Sequence, residues 1–335
     1  MTNSIRSGLL AATAAIALPL LICGMGRRTS AASAAAAVSP SSSAAPTAAI
    51  SQPSPSQRRV QEIIVHENQP ADVGFHDESQ MVTVSISGTD QEMPLHDYLT
   101  GVLMGEMPAS FSMEALKAQA VAARTYTLHR LAGGGVLSDD PTVCQAFIPL
   151  ENAQEKLGSD WERLLAKLHD AVSETDGLVL TYQGQLISAT YFSGSGGKTE
   201  SAQAVWGSEI PYLLSVDSPG EEETSDYEST VTVPLPEFLS TLGIDDPGVS
   251  SVSYTTGGGV DAIVIGGSSF TGLELRKLFG LRSTRFSITV TEDSVLFDVL
   301  GNGHRVGLSQ CGAEAMARNG NSFEEILCWY YSGVT

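Results

Sequence analysis

Apolar and polar positions follow helical spacing in the earlier part of the chain and strand-like alternation later. Alternation over 81–88 ends in a turn signal and predicts a strand. Apolar residues recur every three or four positions over 95–107, which predicts a helix. A second helix is expected from Ser112, as its cap, to about Leu131, and a capping box at Ser159 predicts another that runs to about residue 174.

The pattern then changes to strands. Residues 178–193 form a candidate hairpin, and three further stretches, 229–235, 251–267 and 285–299, are rich in β-branched residues. Short helices are predicted at 236–242 and 273–279, and Ser322 is expected to cap a last helix. Helices first and mostly antiparallel strands afterwards, with short helices among them, indicate an α+β fold.

The amino-terminal region differs from the rest. Residues 1–7 form a short tail, and 8–26 form an uncharged apolar run near the roughly 20 residues that cross a bilayer. Residues 29–59, rich in Ala, Ser and Pro, predict a flexible linker, and 60–335 predict one functional domain. A membrane anchor with this domain outside the cell is expected. A cleaved signal peptide and a lipid-modified Cys23 are the alternatives.

Charge excludes one class of partner. The chain has a net charge of −20, and its first 59 residues hold five arginines and neither aspartate nor glutamate. That leaves 13 basic residues against 38 acidic ones in the predicted domain. Such a surface repels nucleic acid, because phosphate binding depends on Lys and Arg contacts. The four cysteines have no spacing that predicts a disulfide framework.

One acidic position stands out. Glu106 follows a run of apolar, Gly and Thr residues and directly precedes Met-Pro. Pro108 disfavours helix in the residue before it, so the predicted helix should stop near Glu106. Apolar surroundings raise the pKa of a carboxyl group and keep it protonated near neutral pH, as a general acid requires. The plainer interpretation is a surface carboxylate that merely ends the helix.

Three stretches together resemble the SpoIID/LytB family: GVLMGEMPASFSMEALKAQAVAARTYTL, SATYFSGSGGKTESAQAVWGSEIPYLLSVDSPGE and GNGHRVGLSQCGAEAMARNGNSFEEILCWYYSG. The resemblance implies a membrane-anchored lytic transglycosylase of the sporulation septum that acts during engulfment of the forespore. It would cut peptide-stripped peptidoglycan strands at MurNAc–GlcNAc bonds and leave 1,6-anhydro-MurNAc ends. It also implies two partners, the sporulation amidase SpoIIP and the membrane protein SpoIIM.

The resemblance makes Glu106 the catalytic acid and base. The positions that it implies for substrate binding are Arg124, Ser195, Lys198, His304, Ser309 and Gln310. For Arg124 a buried ion pair between helices is the alternative. Trp206 and Tyr212 could stack on a sugar, although aromatic residues after a hairpin more often belong to the core. Arg305 departs from the family pattern, which usually has glycine there, and it would either place a cation over the cleft or disturb a tight turn.

The metal prediction rests on one residue. Relatives often pair Cys or His ligands where this chain has Asp139, Val143 and Cys144, and only Cys144 matches. No cofactor is required; Cys144 is the candidate ligand of a zinc ion, which ordinarily takes three or four protein ligands. The alternative to an enzyme is a non-catalytic glycan-binding scaffold that enhances a partner amidase. A binding domain unrelated to the wall has no sequence feature in its favour.

Overall fold

The computed structural model describes residues 76–224 and 227–335. The predicted anchor and linker lie outside these residues. The helices are α1 Leu95–Glu106, α2 Met113–Ala132, α3 Ala153–Leu157, α4 Trp161–Ser173, α5 Ala202–Trp206, α6 Leu235–Leu242, α7 Gly272–Phe279, α8 Gln310–Arg318 and α9 Phe323–Tyr330. The strands are β1 Met81–Ile86, β2 Thr89–Pro94, β3 Leu137–Ser138, β4 Thr181–Tyr182, β5 Gln185–Leu186, β6 Tyr191–Phe192, β7 Glu228–Pro234, β8 Val249–Tyr254, β9 Val260–Ile265, β10 Ser268–Thr271, β11 Phe286–Val290, β12 Ser294–Leu300 and β13 Leu308–Ser309.

Within 76–224 and 227–335, no helix combines the length and the apolar character that a membrane span needs.

The helices α1, α2 and α4 surround the larger apolar core. Helix α1 is buried on nearly every side, including Leu95, Leu99 and Leu103, which are fully enclosed. It ends at Glu106, as predicted, and the next residue is already extended. A helix that is apolar all round packs in a protein interior. Glu106, the last residue of α1, therefore lies at the edge of the core.

Two antiparallel sheets follow residue 227. One has the order β11-β12-β7 and the other the order β10-β9-β8. They share a second, smaller core in which the rings of Phe238, Phe279 and Phe297 lie within 6.2 Å of one another. The predicted short helices correspond to α6 and α7, which cover this core.

The strands β6 and β13 bring distant parts of the sequence together. They form a parallel pair in which Tyr191 and Phe192 lie opposite Leu308 and Ser309. The predicted hairpin is shorter than 178–193: only β4 and β5 pair, through a turn with two residues at positive φ. At the end of that stretch, β6 pairs with a strand more than 100 positions away, a partner that local alternation does not specify.

Two predicted caps differ from the structure, and one is present. Ser112 makes no side-chain cap on α2, and its backbone N–H instead donates to Glu314 of α8 at 2.6 Å. The capping box at Ser159 is absent, because a 3₁₀ turn over Gly158–Asp160 precedes α4. The cap at Ser322 is present, with Glu325 completing the capping box of α9.

Candidate active site

A cleft of about 610 Å³ opens at the carboxyl end of α1. Its lining contains Glu106 together with residues of the turn after α1, of α3 and of one side of α8. Pro108 and Phe111 belong to the turn, Lys156 to α3, and Gln310 and Arg318 to α8. The first and third motif stretches therefore meet across one cavity.

Glu106 is held by donors from two other segments. Its Oε1 accepts a hydrogen bond from the backbone N–H of Ala146 at 2.6 Å, and its Oε2 accepts from Nε2 of Gln310 at 3.4 Å. Burial raises the pKa of Glu106, and these two hydrogen bonds offset only part of the rise. Desolvation disfavours the charged carboxylate, so the carboxyl group is poised to hold and release a proton.

The loop that supplies Ala146 is fixed by close packing against α1. A Cβ at Gly101 would lie 2.5 Å from the Phe147 ring and 2.6 Å from the Ile148 carbonyl oxygen. Only glycine permits this approach, so the absence of a side chain on α1 brings the loop onto Glu106.

Beside this loop runs a buried polar network centred on Gln145. Tyr191 donates its hydroxyl hydrogen to Oε1 of Gln145 at 2.6 Å, and Nε2 of Gln145 donates to Thr127 at 2.7 Å and to Tyr98 at 3.3 Å. Such a satisfied network fixes the position of its members, so the residue before Ala146 is anchored as well.

Ser309 lies one residue before Gln310 and caps α8. Its side chain accepts from the Gly312 N–H at 3.2 Å and donates to Oε1 of Glu221 at 2.6 Å. The direction in which α8 enters the cleft, and with it the Gln310 amide, is therefore tied to Glu221.

Glu221 is a buried residue that sequence reasoning missed. Its Oε2 accepts from the backbone N–H groups of Ser195 and Gly196 at 2.7 and 3.1 Å. Its Oε1 accepts from the hydroxyls of Ser195, Ser218 and Ser309. One carboxylate thus joins the Gly/Ser-rich loop to the start of α8. Glu221 ends the second motif stretch, but no local pattern marks an acidic residue after a Pro-Gly turn as buried.

Ser195 and Lys198 do not line the Glu106 cleft. Ser195 is fully buried and turned toward Glu221, which gives it a structural position. Lys198 is about one-third exposed, and its ammonium group lies 3.7 Å from a carboxylate oxygen of Asp217. Ser193, just before this loop, does line the cleft.

His304 lies behind the same loop, outside the cleft lining. Its ring packs against Phe192 and Trp206, with centroids 5.6 and 5.7 Å away, and Nδ1 accepts from the Val306 N–H at 3.1 Å. Burial, aided by the positive charge of Arg276, lowers the pKa of His304 to about 4. The imidazole is neutral at pH 7. The Trp206 ring therefore packs on the ring of His304.

Arg305 resolves the question raised by its departure from the family pattern. Its φ of 66° is the left-handed conformation for which glycine is usual, so the turn is kept despite the side chain. The guanidinium is buried and donates to Glu200 at 3.3 Å and to the backbone oxygens of Ser195 and Lys198, each at 2.8 Å. It fastens the Gly/Ser-rich loop from behind and is not a cation over the cleft.

Arg124 is fully buried in an ion pair, as the alternative describes, but its partner Asp77 lies in the turn before β1 and not on a second helix. Its Nε donates to both carboxylate oxygens of Asp77 at 2.9 and 2.8 Å. Its terminal nitrogens donate to the carbonyl oxygens of Val172 and Leu178 at 3.2 and 3.1 Å. With its donors engaged and no exposure, Arg124 cannot contact a substrate; it joins α2 to the end of α4 and to the turn before β1. Tyr212 is partly buried and packs against the larger core.

The residues around Cys144 do not fit a zinc ion. Cys144 is buried with its sulfur 3.8 Å from the Tyr98 hydroxyl, and Asp139 accepts the backbone N–H of Ser87. The exposed Asp140 bonds its own turn at Thr142. Across residues 76–224 and 227–335, no three His, Cys, Asp or Glu side chains are grouped as metal ligands.

Comparison with known proteins agrees with the motif resemblance. The SpoIID family, described as stage II sporulation protein, matches residues 87–182. Stage II sporulation protein D of Bacillus subtilis (strain 168) is 39% identical over 255 residues, which cover 73% of this chain and 74% of that protein. The protein of the same name from Bacillus amyloliquefaciens is 38% identical with the same coverage.

A relative with a different name has lower identity to this chain. An "Amidase enhancer" of Bacillus subtilis (strain 168) is 30% identical over 295 residues, covering 71% of this chain and 40% of that protein. The three motif stretches, their meeting around Glu106 and these identities lead to one assignment. The chain belongs to the stage II sporulation protein D (SpoIID) family.

Proposed function

We propose that this protein is a lytic transglycosylase that cuts peptide-stripped peptidoglycan strands between MurNAc and GlcNAc. The observation that carries the proposal is Glu106: a carboxyl group with a raised pKa, in the lining of an open cleft, held by donors from two separate segments. Family membership supports a sporulation role, and the chemistry follows from this single group.

The reaction needs a single carboxyl group, that of Glu106, which first donates a proton and then accepts one. Protonated Glu106 donates to the glycosidic oxygen as its bond to the anomeric carbon of MurNAc breaks. The carboxylate then takes the proton of the 6-hydroxyl of the same MurNAc, and that oxygen bonds to the anomeric carbon. The products are a 1,6-anhydro-MurNAc end and a free GlcNAc hydroxyl, and Glu106 is again protonated. General acid–base catalysis of this kind is typically worth about 10²–10⁴-fold.

Hydrolysis, by contrast, ordinarily uses two carboxyl groups. Glu314 also lines the cleft, but it is buried and both its oxygens are engaged, one by the Ser112 N–H and one by Arg318. Glu223 lies exposed on the rim. Among the described carboxyl groups that line the cleft, Glu106 is the one for which a raised pKa is found, which favours the single-carboxylate mechanism.

The setting is part of the proposal. An amino-terminal anchor and linker would hold the domain outside the membrane at the sporulation septum, where wall remodelling accompanies engulfment. The sporulation amidase SpoIIP would remove stem peptides first, and SpoIIM would be a membrane partner. Support for these points comes from the sequence pattern of residues 8–59 and from family membership.

The test is product analysis with the purified full-length chain and peptide-stripped glycan strands. Mass spectrometry should find ends of 1,6-anhydro-MurNAc with the natural chain and none with Glu106→Gln. Glu223→Gln is the matched control, because it also removes a carboxyl group from the lining of the cleft. It should keep activity, because Glu223 is exposed. Ordinary reducing ends, lost in both variants, would establish hydrolysis with two carboxylates and refute the proposal.

The relative named amidase enhancer favours a second candidate, a non-catalytic scaffold that binds glycan and stimulates a partner amidase. In that case neither the natural chain nor Glu106→Gln would cut strands. Both would still bind strands and raise the rate of the amidase equally.

A further inference from the structure

The cleft differs in charge from the domain around it. Only 13 basic residues follow residue 59, against 38 acidic ones, yet Arg318 and Lys156 both line the Glu106 cleft. Of the acidic groups there, Glu106 has a raised pKa that favours its neutral form, and Glu314 is neutralised by pairing with Arg318. Glu223 lies at the rim. This distribution suits a ligand that carries negative charge.

Arg318 is held so that part of its guanidinium is available. Its Nε donates to Oε1 of Glu314 at 2.7 Å, and its side chain is 61% exposed. Glu314 is itself fixed, because its other oxygen accepts from the Ser112 N–H. Within the described residues, the two terminal nitrogens of Arg318 have no protein partner. They present a planar pair of donors that matches a carboxylate in two-point contact.

The spacing along α8 places this cation away from the bond that is cut. Gln310, Glu314 and Arg318 are four residues apart, so they lie along one face of the helix, and all three line the cleft. Gln310 contacts Glu106, and Arg318 lies eight residues further, about 12 Å along the helix axis. That separation exceeds one sugar ring, so a strand bound with its cleaved bond at Glu106 would bring a neighbouring unit to Arg318.

We propose that Arg318 is a specificity-determining residue that binds the free lactyl carboxylate of a muramic acid next to the one being cleaved. This inference rests on the proposed function. In a peptide-bearing strand the same carboxyl group is an amide, without charge and with a chain attached. A cleft with Arg318 at this distance therefore selects strands stripped at consecutive muramic acids. Lys156 adds positive charge to the same cavity.

The experiment compares two substrates with the full-length chain. One is peptide-stripped strands, and the other is the same strands with their lactyl carboxylates converted to neutral methylamides. The natural chain should have a KM at least about ten-fold lower for the free carboxylates, the effect expected of a charge-assisted pair. Arg318→Gln should lose that preference, because its KM for the free carboxylates rises toward its KM for the methylamides.

Arg163→Gln is the matched control. Arg163 is also exposed and forms an ion pair with Asp160, three residues earlier in the chain. It lies outside the cleft lining. It should keep the preference, and Arg318→Lys should restore part of it. Equal losses by Arg318→Gln on both substrates, or an unchanged preference, would overturn the inference. If the natural chain cuts neither substrate, the proposed function fails, and calorimetric binding of the two polymers decides the role of Arg318 separately.

Discussion

Replacing Arg124 by methionine tests whether this residue stabilises the fold or serves the substrate. The substitution keeps much of the side-chain volume but leaves the Asp77 carboxylate buried without its partner, at zero exposure. Two carbonyl oxygens, of Val172 and Leu178, also lose a donor. Breaking a buried ion pair from one side typically destabilises by about 3–5 kcal/mol.

For a domain of this size, that loss corresponds to a Tm lower by about 6–20 °C. Urea unfolding followed by circular dichroism gives the free energy directly. Arg130→Met, on the same helix but partly exposed, is the control and should change stability by under about 1 kcal/mol. The double variant Arg124→Met with Asp77→Leu should recover part of the loss, because no buried charge is then unpaired.

The kinetic readout separates the two roles. If Arg124 is structural, the folded fraction of Arg124→Met cuts strands with nearly unchanged KM at a temperature well below its Tm. A variant that unfolds like the natural chain but loses kcat/KM by orders of magnitude would refute the reasoning. The substrate contact implied by the family motif would then be correct.

Three further changes probe the site. Gly312→Ala should destabilise by about 1–3 kcal/mol in urea unfolding, because its Cβ would lie 1.9 Å from a buried tyrosine hydroxyl, whereas Gly133→Ala, with its nearest atom at 3.5 Å, should have little effect. Gln310→Leu removes a hydrogen bond that lowers the pKa of Glu106, so the alkaline limb of kcat/KM against pH should move to higher pH. Glu221→Gln turns an amide donor toward groups that are themselves donors and should destabilise by about 2–4 kcal/mol, measured in the same way.

Each of these has a clear contrary result. Equal stability of the two alanine variants would mean that the helix shifts to admit the Cβ. An alkaline limb that stays in place or moves to lower pH would show that Glu106 is not the group that titrates. If Glu221→Gln is as stable as the natural chain, other contacts must hold the Gly/Ser-rich loop against the start of α8.

The sequence determined the local elements because their causes are local. Helical spacing predicted α1, and Pro108 set its end at Glu106. A start at Ser112 and an end near Leu131 predicted α2, although the Ser112 side chain makes no cap. The short helices α6 and α7 and the cap at Ser322 followed from the same kind of signal. The motif stretches singled out Glu106 and Gln310, which the structure brings together.

The tertiary structure alone decided which polar side chains face the cleft and which are buried. Arg124, Ser195 and Lys198 have residue types that suit a sugar, yet the first two are enclosed and the third lies outside the cleft. Glu221 has no local signal, because its donors come from positions up to 88 residues away. A raised pKa depends on what surrounds a carboxyl group, and for Glu106 that includes Ala146 and Gln310, 40 and 204 residues distant. Local pattern specifies where a helix ends; only long-range packing specifies what its last residue meets.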